Sequence, residues 1–213
     1  MLHPHVPEGL KHFSTHLFAT FLGLLMALGL ESCHQRHLQK ESAHRAMEAV
    51  QAELRGNRKE LEDCIPTIDS SLKDLGAMLR SLEDLRAHKS DGKTIPPFQL
   101  NLSLPDLGSA AWEASVAAQA VHFMDFEQVE CLSRAYVTQK YVESQEPALL
   151  EDLQHLGALV LEKHEDSKEI PDRQLEDIIL RLRTTVVRLG TLRQGCNAAM
   201  QKYDAALALV SRR

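Results

Sequence analysis

Residues 171–210, PDRQLEDIILRLRTTVVRLGTLRQGCNAAMQKYDAALALV, carry the most regular pattern in the chain. Leu175, Leu182, Leu189, Cys196, Tyr203 and Val210 are seven apart, and Ile178, Ile179, Val186, Leu192, Met200 and Leu207 widen the stripe. A period near 3.5 with a stripe this broad is the signature of a helix packed into a bundle. The spacing predicts one long helix beginning near Pro171.

Working toward the amino terminus, the same period recurs. Leu149, Leu150, Leu153, Leu156 and Val160 form an apolar face before a charged connector around Glu165 to Glu169. Ahead of it a helix is expected to start at Asp125, whose carboxylate lies three residues before Gln128 as in a capping box. It presents Val129, Leu132 and Tyr136, and Pro147 is expected to end or kink it. Ser109 is placed to cap a short helix holding the single tryptophan, Trp112, with Val116, Ala120 and Phe123. Between Ser90 and Gly108 lie Gly92, Pro96, Pro97 and Pro105, so no helix runs throughout. Within that stretch Phe98, Leu100, Leu102 and Leu104 alternate with polar residues. One extended segment near 94–105 is therefore expected, lying over the helices or pairing with its counterpart in a second subunit.

From Ala43 to Cys64 a heptad seam runs Ala43, Met47, Val50, Leu54, Asn57, Leu61, Cys64. Asn57 reads as a solvated amide in the last turns before Pro66, in preference to a buried one. After Pro66, Ile68, Leu72, Leu75, Leu79, Leu82 and Leu85 form a second helix, expected to fold back antiparallel on the first, with Asp69 at its amino end.

Residues 13–30, Phe-Ser-Thr-His-Leu-Phe-Ala-Thr-Phe-Leu-Gly-Leu-Leu-Met-Ala-Leu-Gly-Leu, lack formal charge. As a helix they cover about 27 Å, near the hydrocarbon thickness of a bilayer. A retained anchor is preferred over two rivals. Cleavage after Ala27-Leu28-Gly29 has only Lys11 for its charged region, and lipidation at Cys33 has Glu31 where a small or apolar residue belongs. Thr15, Ala19, Gly23 and Ala27 recur every four residues, giving a candidate face for helix–helix contact in the membrane. Arg36, Lys40 and Arg45 against Lys11 place the large domain in the cytoplasm by the positive-inside tendency.

The expected fold is thus all-α. A short tail (1–12) leads to a transmembrane helix (13–30), a stalk helix (31–64) and an antiparallel helical bundle domain (65–213). About 180 residues beyond the span suffice for one domain. The net charge of −6 is spread along the chain with bases and acids interleaved, which excludes a phosphate-binding stripe and hence nucleic acid as a partner. Cys33, Cys64, Cys131 and Cys196 lie far apart with no CxxC pair, so buried or membrane-edge thiols are the reading.

Ala111-Trp112-Glu113-Ala114, then Phe123-Met124-Asp125-Phe126-Glu127-Gln128-Val129 and Leu132-Ser133-Arg134-Ala135-Tyr136-Val137-Thr138-Gln139, resembles a group of uncharacterised bacterial single-pass membrane proteins. The resemblance covers roughly residues 12–60 loosely and 95–140 more closely. It implies one amino-terminal span, a charged helical stalk, a proline-containing extended segment and a Trp helix joined to a Met-Asp-aromatic turn. It brings no activity and no catalytic residues.

For chemistry, Cys33, His34, His37 and His44 near the membrane end are the weak candidates for a metal, with Glu41 on the same face. A solvated face is the preferred reading, and no cofactor is expected. No nucleophile–base pair, phosphate loop or HExxH helix is present, which argues against an enzyme. Glu62-Asp63, Glu83-Asp84 and Glu151-Asp152 read as solvated charge. Trp112, Phe123, Phe126 and Tyr136 are the candidates for a ligand pocket or interface, although aromatics at helical spacing are usually core. The function expected is a non-catalytic, membrane-anchored interaction or scaffolding module that binds itself or another protein. The alternative is a sensory module that binds a small ligand and couples it to the membrane helix.

Overall fold

The computed structural model describes residues 8–88, 100–165 and 171–210, excepting the side chains of 8–16, 19, 33, 88 and 160–165. The described residues are helical apart from the connections. Helix α1 spans Glu8–His88, α2 spans Ala110–Ala117, a 3₁₀ turn covers Ala120–Phe123, α3 spans Phe126–Glu165 and α4 spans Asp172–Val210.

The seam of α1 shows why one helix forms where two were expected. Ala43, Met47, Val50, Leu54, Asn57, Leu61, Cys64, Ile68, Ser71, Leu75, Met78 and Leu82 are all buried, and they alternate by four and three without a slip across Pro66. Pro66 itself is on the exposed face. A proline inside a helix costs about 3 kcal/mol, through the missing N–H and a clash with the carbonyl four residues back. Burying one large apolar side chain gains roughly 1.5–3 kcal/mol, and Ile68, Leu75, Met78 and Leu82 lie beyond the proline on the same stripe. Packing therefore outweighs the proline, and the carbonyl of Glu62 that loses its donor is on the side water reaches. The expected boundary at residue 64 is accordingly corrected: α1 does not break at Pro66, and no second helix folds back on the first. Pro147 is likewise exposed and lies inside α3, which continues to Glu165.

Helix α4 packs against both other long helices. Leu175, Ile178, Leu182, Thr185, Leu189, Leu192, Cys196, Ala199, Tyr203, Ala206 and Val210 form its buried seam, with Ile179 and Gly195 beside it. Arg58 Nε donates to Asp204 Oδ1 at 2.6 Å and Arg193 Nε to Asp69 Oδ1 at 2.9 Å, so α4 runs antiparallel to α1. Exposed pairs of this kind contribute about 0–1 kcal/mol each, so they report the register without fixing it. Against α3, α4 is again antiparallel. A Cβ on Gly195 would stand 3.3 Å from Val142 Cγ2, which marks a close approach of the two helices. Helices α1 and α3 consequently point the same way, and the architecture is three long helices with α4 opposed to the other two.

The parallel arrangement requires the chain to return along α1 before α3 begins, and residues 100–109 do this. Ser71 Oγ donates to the Asn101 carbonyl at 3.1 Å, Ser103 N donates to Thr67 Oγ1 at 3.2 Å, and Gly108 N donates to Asn57 Oδ1 at 2.8 Å. Leu100, Leu102, Leu104 and Leu107 pack on the core while Asn101 and Ser103 are exposed, which is the alternation seen in the sequence. The segment is extended but unpaired; no strand occurs among the described residues, and 94–99 lie outside them. Gln119, at φ 57°, holds the left-handed turn between α2 and the 3₁₀ turn.

Below Ala43, α1 leaves the bundle. Every described side chain from Leu17 to Ser42 is exposed. Among the described residues no helix is long and apolar enough to cross a membrane; the side chains of Phe13 to His16 and of Ala19 are outside them.

Pro66→Ala should raise the unfolding free energy by up to about 3 kcal/mol in chemical denaturation, because alanine restores the helical hydrogen bond. An unchanged or reduced stability would contradict the continuous helix.

Candidate functional site at the base of the bundle

Asn57 is 4% exposed, so it is a core residue and the solvated reading is corrected. Its Nδ2 donates to the Gly108 carbonyl at 2.7 Å and to Gln139 Oε1 at 3.1 Å, while its Oδ1 accepts from Gly108 N. Gln139 Nε2 donates to the carbonyl of Gly108 at 3.0 Å and to Glu143 Oε1 at 2.8 Å, and Tyr203 Oη donates to Gln139 Oε1 at 2.8 Å. One polar layer thus joins α1, the extended segment, α3 and α4. Burial, and then the negative charge of Glu143, push the Tyr203 phenol well above its ordinary value, so it remains a donor.

A turn nearer the base, Glu53 of α1 performs the capping expected of Ser109. Its Oε2 accepts from Ala111 N at 2.8 Å and its Oε1 from Trp112 N at 3.3 Å, which places a carboxylate on the positive end of α2. Ser109 Oγ donates instead to Glu113 Oε1. The same Glu53 Oε1 accepts from Tyr136 Oη at 2.6 Å, and burial and that carboxylate raise the Tyr136 phenol far above its usual range. Trp112 stacks on Tyr136 with centroids 5.4 Å apart and planes at 7°. Of the four aromatic candidates, these two form a closed cluster. Phe123 is 43% exposed and Phe126 82% exposed, so neither belongs to the core.

Beside Phe123 a cavity of about 490 Å³ opens at the base, with Ala43, His44 and Met47 from α1, Met124 ahead of α3 and Val210 at the end of α4 among its walls. Trp112 and Tyr136 do not line it. Its walls are mixed, with Lys40, Glu48, Gln51, Asp125 and Gln128 beside the apolar side chains.

The other sequence candidates are not brought together. His34 and His37 are exposed on the projecting part of α1, whereas His44 is at the base cavity, its Nε2 3.5 Å from Glu48 Oε1. Among the described residues no group of histidine, cysteine and acidic side chains is placed to hold a metal ion. The side chain of Cys33 is outside those residues, as are Thr15 and Ala19 of the small-residue face, whereas Gly23 and Ala27 of that face are exposed. Cys64 and Cys196 are free, buried thiols on facing seams of α1 and α4, and Cys131 is free and half-buried. The hydrogen bond that the Cys196 thiol donates to Cys64, and its own burial, raise that thiol far above its ordinary value, which makes it inert. Two of the acidic pairs are not simply solvated: Glu83 accepts from Arg183 Nε at 3.1 Å, and Asp152 Oδ2 lies 3.0 Å from Arg188 Nε.

Sequence reasoning missed Glu53, Gln139 and Tyr203. Tyr203 and Asn57 each carried a signal, since a polar atom at a seam position needs a buried partner. Glu53 sits one residue before Leu54 of the seam and gave none.

Asn57→Ala should cost about 2 kcal/mol, because it leaves the Gly108 N–H without its acceptor and removes a donor from Gln139 Oε1; Lys59→Ala on the exposed face should cost under about 0.5 kcal/mol. A cost for Asn57→Ala no larger than the control's would contradict the buried layer. Glu146 occupies a seam position of α3, and burial, then the charges of Glu143 and Asp106, raise its carboxyl above 4.5. A carboxyl raised on folding contributes stability below its unfolded value and loses it as pH rises through the folded one. Glu146→Gln should therefore be more stable than the parent at pH 7, with the gap closing toward pH 4.5; a gap that stays constant would contradict it.

No protein-family model, curated protein or solved structure matches the chain.

Proposed function

We propose that the chain is a single-pass membrane protein whose bundle acts by contact and not by catalysis, with residues 13–30 as the span and the bundle on the cytoplasmic side. The observation that carries this reading is the projecting part of α1. Leu17, Phe18, Phe21, Leu22, Leu24, Leu25, Met26, Leu28 and Leu30 are 47–71% exposed and cover about two-thirds of the circumference of the helix, the rest being Thr20, Gly23 and Ala27. A helix that is apolar all round is stable only inside a core or a bilayer, and no described element of this chain covers it. Immediately after it, Glu31 to Ser42 are polar on nearly every face, as a helix crossing into water would be.

A role by contact is supported by where the polar side chains of the bundle point. Glu53, Asn57, Gln139 and Tyr203 direct their hydrogen bonds at other parts of the fold and away from the cavity. The cavity at the base favours a second reading, in which an amphipathic small molecule seats against Met47 and Met124 and biases α1 as it leaves the bundle.

Expressed as the full chain, the protein should stay with membranes through carbonate washing, and a carboxy-terminal reporter active only in the cytoplasm should be on. Leu22→Arg with Leu25→Arg should release it, since each charge costs about 3 kcal/mol at mid-bilayer. A parent chain extracted by carbonate would overturn the anchor, and a silent reporter on a retained chain would reverse the orientation.

A further inference from the structure

Asn57 Nδ2 and Tyr203 Oη both donate to Gln139 Oε1, which fixes the residues of the three long helices that share a level. Seven residues make two helical turns, about 10.5 Å, and return a side chain to nearly the same face. One heptad from that layer, forward along α1 and α3 and backward along α4, Cys64, Glu146 and Cys196 therefore stand at one level. Both cysteines are free and buried on facing seams. The neighbouring layers are apolar throughout: Leu61, Val142 and Ala199 on one side, Ile68, Leu149 and Leu192 on the other, all fully buried. Directly opposed residues on helices about 8–10 Å apart have Cα atoms about 3.5–5.5 Å apart, because each Cα lies about 2.3 Å from its own axis. That range overlaps the roughly 4.4–6.8 Å spanned by a disulfide.

Glu146 is the one member of the layer that is not sealed in. It is half-buried, and its Oε1 is buried with no hydrogen-bond partner. A carboxyl there offers water a partner where leucine would exclude it, and its charge bears on both thiols. The thiols themselves are unequal. The hydrogen bond from Cys196 holds Cys64 below its ordinary value and leaves Cys196 above its own, so Cys64 is the nucleophile and Cys196 carries the proton.

We infer that Cys64 and Cys196 are a redox pair, closed by hydrogen peroxide into a disulfide that ties α1 to α4 within the core. Peroxide is little larger than water and enters beside Glu146. The Cys64 sulfur attacks one peroxide oxygen, the O–O bond breaks, and the departing hydroxide takes the Cys64 proton to give a sulfenic acid and one water. Cys196 then attacks that sulfur. The S–S bond forms, the S–O bond breaks, and the Cys196 proton leaves with the hydroxyl as a second water. Two thiols lose two electrons in all and one peroxide gains them; two equivalents of a small thiol reverse the bridge. The pair lies inside the bundle, so it is independent of whether residues 13–30 span a membrane.

The test treats the full folded chain carrying Cys33→Ser and Cys131→Ser, which leaves this pair alone, with hydrogen peroxide. Intact mass should fall by about 2 Da, peptides holding Cys64 and Cys196 should be joined, and a small thiol should restore both. The parent chain with all four cysteines should yield the same joined peptides, which guards against a loss of fold in the variant. Glu146→Leu should slow bridging about tenfold in the folded chain and leave the rate in urea unchanged, since it closes the path to a buried thiol. Thiols still free after peroxide, Cys64 carried on to the sulfinic acid without a bridge, or Glu146→Leu reacting as fast as its parent would each overturn the inference.

Discussion

Everything in this protein depends on the seam between α1 and α4. On α1 it extends from Ala43 to Leu82 and on α4 from Leu175 to Val210, each an unbroken alternation of threes and fours. Because the two helices are antiparallel and long, the seam aligns every later layer. It sets where α3 can dock on the other side of α4, and it forces the chain to travel back along α1 before α3 can start. The extended segment from Leu100 to Ser109 is a consequence of that geometry. A chain that must return in a small number of residues has to be extended, and only an extended chain with alternating apolar residues lies flat on a helix.

An apolar seam by itself tolerates slips of a heptad. The layer of Asn57, Gly108, Gln139 and Tyr203 removes that freedom, because its hydrogen bonds close only when four elements meet at one level. Buried amides are used this way where register matters more than the last increment of stability. Glu53 adds a second tie at the next turn, since one carboxylate caps α2 and holds Tyr136. The α2 side of the base is thus tied to α1 and α3, and the cavity under Met124 opens beside the exposed ring of Phe123.

The long helix at the carboxy end was legible from spacing alone, as were the helical class, the extended alternation and the seam residues from Ala43 to Cys64. What misled was punctuation. Pro66 read as a boundary and Pro147 as an end or a kink, yet both lie on exposed faces inside a helix, where a lost hydrogen bond is replaced by water and the buried stripe continues beneath. The sign of continuity was present, since Ile68 follows Cys64 in register and Leu75 and Leu82 extend it. Asn57 was misread for the same reason: a helix presumed to end near Pro66 puts its last turns in solvent, whereas a helix that continues puts Asn57 mid-seam. Glu53 as a cap in trans was not legible, because its partner backbone is 58 residues away in the chain. Nor could spacing alone tell that the aromatic cluster divides, with Trp112 and Tyr136 stacked inside and Phe126 outside.

The unbroken α1 is the claim on which this account stands, and the distance between its two halves tests it most directly. Spin labels at the exposed positions Arg45 and Ser81 are separated by 36 residues of helix. Pulsed electron resonance on the folded chain should give about 54 Å, at 1.5 Å per residue. A distance near the 8–10 Å spacing of packed helices, plus the label arms, would mean that the chain turns at Pro66 and that the seam described here does not exist.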